Sequence, residues 1–269
     1  MTLVRSLWLQ RVADGAVDLI FPASCLACKA ELQAELSDES DRIGLCTNCR
    51  YKMSHGDWKM SHGDWKMARR DWPVCRRCAS RVPTIPGEVS ECARCRDQNL
   101  WFDRALALGS YDGLLRDLTV RMKTDRSERL AGALGQLMVA RFGDDLREMQ
   151  LDAIVAVPMH AWRRLARGTN PPAALAASLG RELRLPAFSR LLIRRRNTQP
   201  QLGLSQPARF RNVRNEMLVR ASYHLGAPHV LLIDDILTTG ATCSEAARML
   251  KRAGAARVSV LVAARTPRD

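Results

Sequence analysis

His229-Val-Leu-Leu-Ile-Asp-Asp-Ile-Leu-Thr-Thr-Gly-Ala-Thr242 is the stretch that decides the fold. Val230–Ile233 is an unbroken apolar run, as a central parallel strand requires when both of its faces are covered. Asp234 and Asp235 follow, then a short apolar pair and Thr238-Thr239-Gly240-Ala241-Thr242. Next comes a helical stretch, apolar at Ala246, Ala247, Met249 and Leu250 and ending at Gly254. Val258–Ala263 reads as another strand. The unit is strand, turn, helix, strand, and its turn lies at the carboxyl end of a strand, where open α/β sheets bind ligands.

The turn has the parts of a phosphate site. Gly240 lets the backbone approach a ligand and adopt dihedrals closed to other residues. A helix N-terminus offers N–H groups and a partial positive charge to an anion, and Thr238, Thr239 and Thr242 add hydroxyls. Asp234 and Asp235 would repel a phosphate, so they suit a sugar diol or a Mg2+ ion beside it. Together these residues describe a site for a phosphorylated ribose. Thr242 and Glu245 also read as a T-x-x-E capping box, which by itself would make the segment a well-capped helix after a buried strand.

Working outward, Arg104–Tyr111 reads as a strand and Ile154–Val157 as a core strand. Asp112–Met122, Ser127–Phe142 and Pro172–Leu185 read as helices, with Ser127 as a cap. The expected fold is α/β, a parallel sheet with helices on both faces.

The chain has 269 residues and a formal charge of +14. At 46% hydrophobic and 26% charged it has the composition of a folded globular protein. Arg5, Arg11, Asp14 and Asp18 interrupt the apolar runs near the start, and no stretch approaches the roughly 20 apolar residues of a membrane span. The expectation is a soluble, cytoplasmic protein with no membrane insertion. The positive charge concentrates between His160 and Arg220, where 13 arginines face only Glu182 and Glu216. Such an excess fits an anionic partner, phosphate or nucleic acid, or else a solvated arginine-rich surface.

Eight of the nine cysteines form four CxxC pairs: Cys25/Cys28, Cys46/Cys49, Cys75/Cys78 and Cys92/Cys95. Two such knuckles complete one tetrahedral four-thiolate Zn2+ site, so four knuckles make two closed, structural sites. A perfect tandem repeat, Lys52–Trp58 and Lys59–Trp65, lies between the second and third knuckles. An insertion is tolerated best in a linker, which favours sequential grouping of the knuckles while leaving interleaved grouping open. His55 and His62 belong to the repeat and receive no role. Cys243, near the helix start, reads as a small buried side chain. The expected division is 1–99, a leader helix and double zinc ribbon, and 100–269, the α/β domain.

With these residues in view, the turn resembles the 5-phosphoribosyl-1-pyrophosphate (PRPP) motif of type I phosphoribosyltransferases, and the whole chain resembles the ComF family, which is associated with natural competence. Val157-Pro158-Met159-His160, Arg163, Arg167-Gly168 and Asn170 are similar to one ComF segment. Thr198, Gln201, Leu204-Ser205, Arg209 and Asn212-Val213 match a second at every spacing, and Asp18–Pro22 resembles the family's leader. Ala161, Thr169 and Pro171 depart from the pattern.

The resemblance implies a type I phosphoribosyltransferase-like sheet behind a zinc-ribbon module. It further implies that Thr238, Thr239, Gly240, Ala241 and Thr242 hold the 5′-phosphate and that Asp234 and Asp235 bind the ribose hydroxyls, with Mg2+ on the pyrophosphate. Arg163 and Arg167 would neutralise pyrophosphate, and Arg194–Arg196 with Arg209 could do so from a second loop. Two functional readings follow. One is a module that binds PRPP or another phosphoribosyl compound and handles single-stranded DNA beside competence-machinery proteins. The other is an active phosphoribosyltransferase with an unidentified acceptor. A scaffold without a ligand would leave the acidic pair and the glycine turn unexplained.

Overall fold

A computed structural model describes residues 23–32, 43–55, 74–82, 91–159, 168–195, 205–220 and 226–267. The leader at Asp18–Pro22, the tandem repeat beyond His55, and residues 160–167 with His160, Arg163 and Arg167 lie outside them. The chain divides into two compact units, Met1–Arg50 and Tyr51–Asp269.

The first unit holds the knuckles Cys25/Cys28 and Cys46/Cys49. Helix α1 (Thr47–His55) starts at the second of these. The second unit contains the other two knuckles, α2 (Ala93–Arg96) at the last of them, and the parallel sheet. Its strands are β1 (Arg104–Ser110), β2 (Ala153–Ala156), β3 (Ala187–Phe188), β6 (His229–Leu237) and β7 (Arg257–Arg265), in the spatial order β1-β7-β6-β2-β3. Every neighbouring pair is parallel. A separate antiparallel ribbon joins β4 (Leu192–Arg194) to β5 (Met217–Val219).

Burial explains the order. Val230, Leu231, Leu232 and Ile233 are wholly inaccessible, as the apolar run requires of a strand with neighbours on both sides and helices on both faces. Helix α7 (Ala241–Arg252) covers one face, packing Ala246, Ala247 and Leu250 into one apolar cluster with Val230, Leu232, Val258, Val260 and Val262. Ile154, Leu231, Ile233 and Leu261 alternate toward the other face. That side carries α3 (Gly113–Met122), α4 (Arg129–Glu148) and α5 (Pro171–Leu183). Helices α4 and α5 approach closely at Gly135, where an added Cβ would sit 2.5 Å from Ser178 Oγ. The fold is therefore the expected α/β arrangement, with α6 (Gln206–Val213) beside α7.

Two local expectations fail for identifiable reasons. Helix α7 starts at Ala241 with Gly240 as its N-cap, so Thr242 lies inside the first turn and cannot cap it. Glu245 instead accepts the Asn215 N–H at 2.9 Å and pairs with Arg248 at 2.7 Å. The capping box is thus replaced by a contact between α7 and the segment before β5. Likewise, Asp125 rather than Ser127 does most of the capping of α4, accepting the Leu130 N–H at 3.1 Å and the Ser127 N–H and hydroxyl.

Candidate functional site

The turn after β6 is built by strand geometry. Successive residues of a strand face opposite sides, so the two carboxylates part company. Asp234 enters the α7 side, is 9% exposed, and receives the Cys243 thiol at 3.6 Å. Asp235 faces the other side, half-buried, and pairs with Lys123 Nζ at 3.3 Å. Each carboxylate also accepts the next backbone N–H in the chain, at 2.9 Å. Thr238, Thr239 and Thr242 are half-buried, while Gly240 and Ala241 are buried. Gly240 has φ +85°, a conformation that L side chains rarely adopt. Thr239 Oγ1 accepts the Ala241 N–H at 3.3 Å. This turn leads directly into the N-terminus of α7, where N–H groups of the first turn lack intrahelical partners.

Lys123 was not singled out by sequence reasoning. It caps the end of α3, its side chain meets Asp235, and its carbonyl accepts the Thr169 hydroxyl at 2.7 Å. One residue therefore ties α3, the acidic pair and the end of the loop after β2. Arg126 lies against Gly168, 3.2 Å from where a Cβ would stand. A signal was available: the chain has 36 Arg and only 6 Lys, so an isolated lysine amid arginines was conspicuous. The departures at 169 and 171 have local logic as well. Thr169 supplies the bond to Lys123, and Pro171 occupies the first turn of α5, where a missing N–H costs nothing. Asn170 Oδ1, between them, is buried with no partner among the described residues.

The acidic pair makes stability depend on pH. Burial, reinforced by the charge of Asp235, pushes the Asp234 carboxyl well above the usual carboxylate range. Burial, together with the nearby Asp234, likewise raises the Cys243 thiol. The folded state thus keeps the Asp234 proton at pH values where the unfolded chain has released it. This contribution is complete below the ordinary carboxylate pKa and is lost as pH rises through the raised value. Asp234→Asn should therefore stabilise the protein more at pH 8 than at pH 5, by about 1–2 kcal/mol at the higher pH. Urea midpoints of both proteins at the two pH values check this; an equal shift at both would contradict it.

The cysteines group sequentially. Cys25, Cys28, Cys46 and Cys49 form one cluster, and Cys75, Cys78, Cys92 and Cys95 the other, with all sulfurs of a cluster within 4.8 Å of one another. Zinc–sulfur bonds of about 2.3 Å in a tetrahedron imply sulfur–sulfur edges of about 3.8 Å. The separations are 3.8 Å for Cys28–Cys46, 3.7 Å for Cys75–Cys95 and Cys78–Cys92, and 3.6 Å for Cys92–Cys95. Backbone N–H groups of Cys46 and Cys92 donate to Cys25 and Cys75 sulfurs at 3.3 Å, a contact that stabilises a sulfur in its thiolate form. Both donor sets fit Zn2+.

The arginine-rich segment is sorted by the β4–β5 ribbon. Arg194, expected with Arg195 and Arg196 to meet pyrophosphate from a second loop, lies on β4, is largely buried and pairs with Glu216 at 3.3 Å. Arg196 lies outside the described residues, as do Thr198, Gln201 and Leu204. Arg190, Arg195, Arg211, Arg214 and Arg220 are exposed. The Arg220 N–H donates to Leu191 O and the Arg195 N–H to Glu216 O, so Arg195 and Arg220 flank the two ends of one ribbon, while Arg211 lies on α6 and Arg214 caps it.

A parallel α/β sheet with a glycine turn at a strand's carboxyl end, in one chain with two four-cysteine clusters that fit zinc ribbons, defines the class: an α/β protein with a zinc-ribbon-like cysteine framework. No family model matches the chain. It is 31% identical over 226 residues to DNA utilization protein YhgH of Escherichia coli (strain K12), covering 83% of this chain and 97% of that one. It is 26% identical over 244 residues to Competence protein F of Haemophilus influenzae, covering 89% and 96%. The chain belongs to the ComF family of these proteins. Similar solved structures include an allosteric regulatory enzyme of purine biosynthesis (20% identical, TM-score 0.31, 52% of this chain and 25% of that one). Leishmania donovani UMP synthase is another (19%, TM-score 0.31, 56% and 32%), so the chain spans a third or less of either. Among the described residues, no helix is long and apolar enough to cross a membrane.

Proposed function

We propose that the chain binds PRPP with Mg2+ at the turn after β6 and acts in DNA uptake or the handling of single-stranded DNA. The observation that carries the first half is the left-handed Gly240 turn opening α7, with Asp235 beside it. Thr238, Thr239, Gly240, Ala241 and Thr242 take the 5′-phosphate. Asp235 takes ribose hydroxyls from the accessible side, while Asp234 accepts the Asp235 N–H and so shapes the end of the strand. Mg2+ arrives with the pyrophosphate, near Lys123, and Arg163 and Arg167 assist in neutralising it. Zn2+ at the two cysteine clusters is structural. Calorimetric titration with Mg2+-PRPP, using Asp235→Asn as the variant, tests this half.

The second half is supported by the names of the relatives, which refer to DNA utilization and competence, and by the exposed arginines beside the β4–β5 ribbon (Arg190, Arg195) and at the end of α6 (Arg211, Arg214). Affinity built on phosphate contacts falls steeply with salt, with a slope of about 0.7 per contact for single strands. Replacing Arg190, Arg195, Arg211 and Arg214 with Gln is expected to flatten the salt slope of oligonucleotide binding by about 2–3. Fluorescence anisotropy on a labelled single strand at graded salt measures it; an unchanged slope would remove these four arginines as the interface.

Lys123 favours a second reading, transfer of the phosphoribosyl group to an acceptor. A cation beside Asp235 and the loop after β2 would stabilise charge as the bond to pyrophosphate breaks. Pyrophosphate release with the correct acceptor distinguishes this reading from binding alone.

A further inference from the structure

The second cysteine cluster and the turn after β6 meet at one side chain. Arg265 ends β7 and is 5% exposed. Its Nε donates to the Cys78 carbonyl at 2.8 Å, and its Nη2 to Ser80 Oγ at 2.7 Å. Its Nη1 donates to the carbonyls of Leu237 at 2.8 Å, of Thr238, and of Thr266 at 3.2 Å. Cys78 is a member of the cluster, and Ser80 Oγ lies 3.2 Å from its sulfur. Leu237 and Thr238 are the residues where β6 becomes the turn. A guanidinium presents its N–H groups in a rigid planar fork, so this one side chain fixes the knuckle and the turn in a set relation.

Packing runs the same way. Leu100 and Phe102 lie beneath Gly240, 3.4 Å and 3.5 Å from where its Cβ would be, and share an apolar cluster with Cys75, Cys78 and Cys95. The Trp101 N–H donates to Ser244 Oγ in the first turn of α7 at 3.0 Å. Charge adds a third link. No carboxylate among the described residues pairs with Arg265; its side-chain partners are carbonyls and a hydroxyl. Four thiolates around one Zn2+ carry a net charge of −2, which supplies the counter-charge a buried cation needs.

We propose that Arg265 is a positioning residue through which the metal state of the Cys75/Cys78/Cys92/Cys95 cluster sets the order of the turn after β6. With metal bound, the knuckle holds the guanidinium and the guanidinium holds the Leu237 and Thr238 carbonyls. On metal loss the knuckle relaxes, Arg265 loses its counter-charge, and the turn loosens. The effect on ligand affinity rests on the phosphoribosyl reading above; the mechanical link does not.

Cys46→Ser protein, disabled at the first cluster, lets a chelator titrate the second cluster alone, with zinc content followed by atomic absorption. Amide hydrogen exchange of residues 237–242 is expected to rise about tenfold as this zinc leaves, the scale of losing one buried hydrogen bond to a charged group. Arg265→Met should show fast exchange in the turn with its zinc still bound, and chelation should change it little further. Arg265→Lys, which keeps the charge but not the fork, should behave like Arg265→Met. Should Arg265→Met fail to fold, Ser80→Ala cuts only the Nη2 link and is expected to raise exchange by about threefold. Turn exchange that ignores loss of the second zinc, or that is equal in the Arg265 variants and wild type, overturns the proposal. Mg2+-PRPP titration of the same proteins separates the two ideas. Absent binding in wild type would reject the phosphoribosyl reading, while the exchange data would still decide the coupling.

Discussion

Cys75→Ala is expected to lower the melting temperature of the Tyr51–Asp269 unit by roughly 8–20 °C, whereas Cys25→Ala leaves that transition in place. Cys75 is fully buried and belongs to the apolar cluster that includes Phe102, Leu237, Val260 and Val262. Losing it removes one of the four sulfurs of a cluster that fits Zn2+, and in such a site the metal's binding energy is folding energy. The neighbouring chain depends on that site: Ala105 at the start of β1 donates to Arg76 O at 3.1 Å, and Arg77 reaches Leu100 O at 2.8 Å. A loss of about 4–5 kcal/mol, typical for a broken metal or buried polar network, corresponds to roughly 8–20 °C for a domain of this size. Cys25 sits in the other compact unit, so its loss should register as release of one zinc without moving the sheet transition. Differential scanning calorimetry with metal analysis measures both quantities. Equal shifts for the two variants would show that the second cluster is no more tied to the sheet than the first.

The parts of this structure that were legible in the sequence are those set by local pattern. The apolar run before Asp234 defines a buried strand because burial on both faces leaves no room for alternation. Gly240 and the helical period after it then define the turn and α7. The CxxC spacing foretells the clusters because two thiolates separated by two residues can reach one ion, and the tandem repeat in the middle gap pointed to sequential grouping. The clusters do group that way.

What was not legible depends on contacts between distant segments. Nothing local to Lys123 indicates that its side chain meets Asp235, and nothing near Arg265 indicates that it reaches Cys78, 187 residues away. Glu245 looked like half of a capping box, but a stronger partner, Arg248, stands one turn along, and the Asn215 N–H takes the rest of its carboxylate. Arg194 reads in sequence as one of three arginines that could meet pyrophosphate, but the β4–β5 pairing places Glu216 beside it. The acidic pair illustrates the same limit. Its adjacency suggested one shared role, yet strand alternation sends Asp234 toward Cys243 and Asp235 toward Lys123.

That divergence makes Asp235 the side chain on which the phosphoribosyl reading turns. It is accessible where Asp234 is not, and Asp235→Asn keeps its shape while removing the charge that pairs with Lys123 and would accept the ribose hydroxyls. Hydrogen bonds to a charged group contribute about 1.5–3 kcal/mol each, so losing two should weaken binding by roughly a hundredfold or more. The decisive measurement is a calorimetric titration of Mg2+-PRPP into wild-type protein and Asp235→Asn. Saturable binding at one site is expected in the wild type, and a loss of at least about a hundredfold in the variant. No binding heat in the wild type, or the same affinity in both proteins, would contradict it.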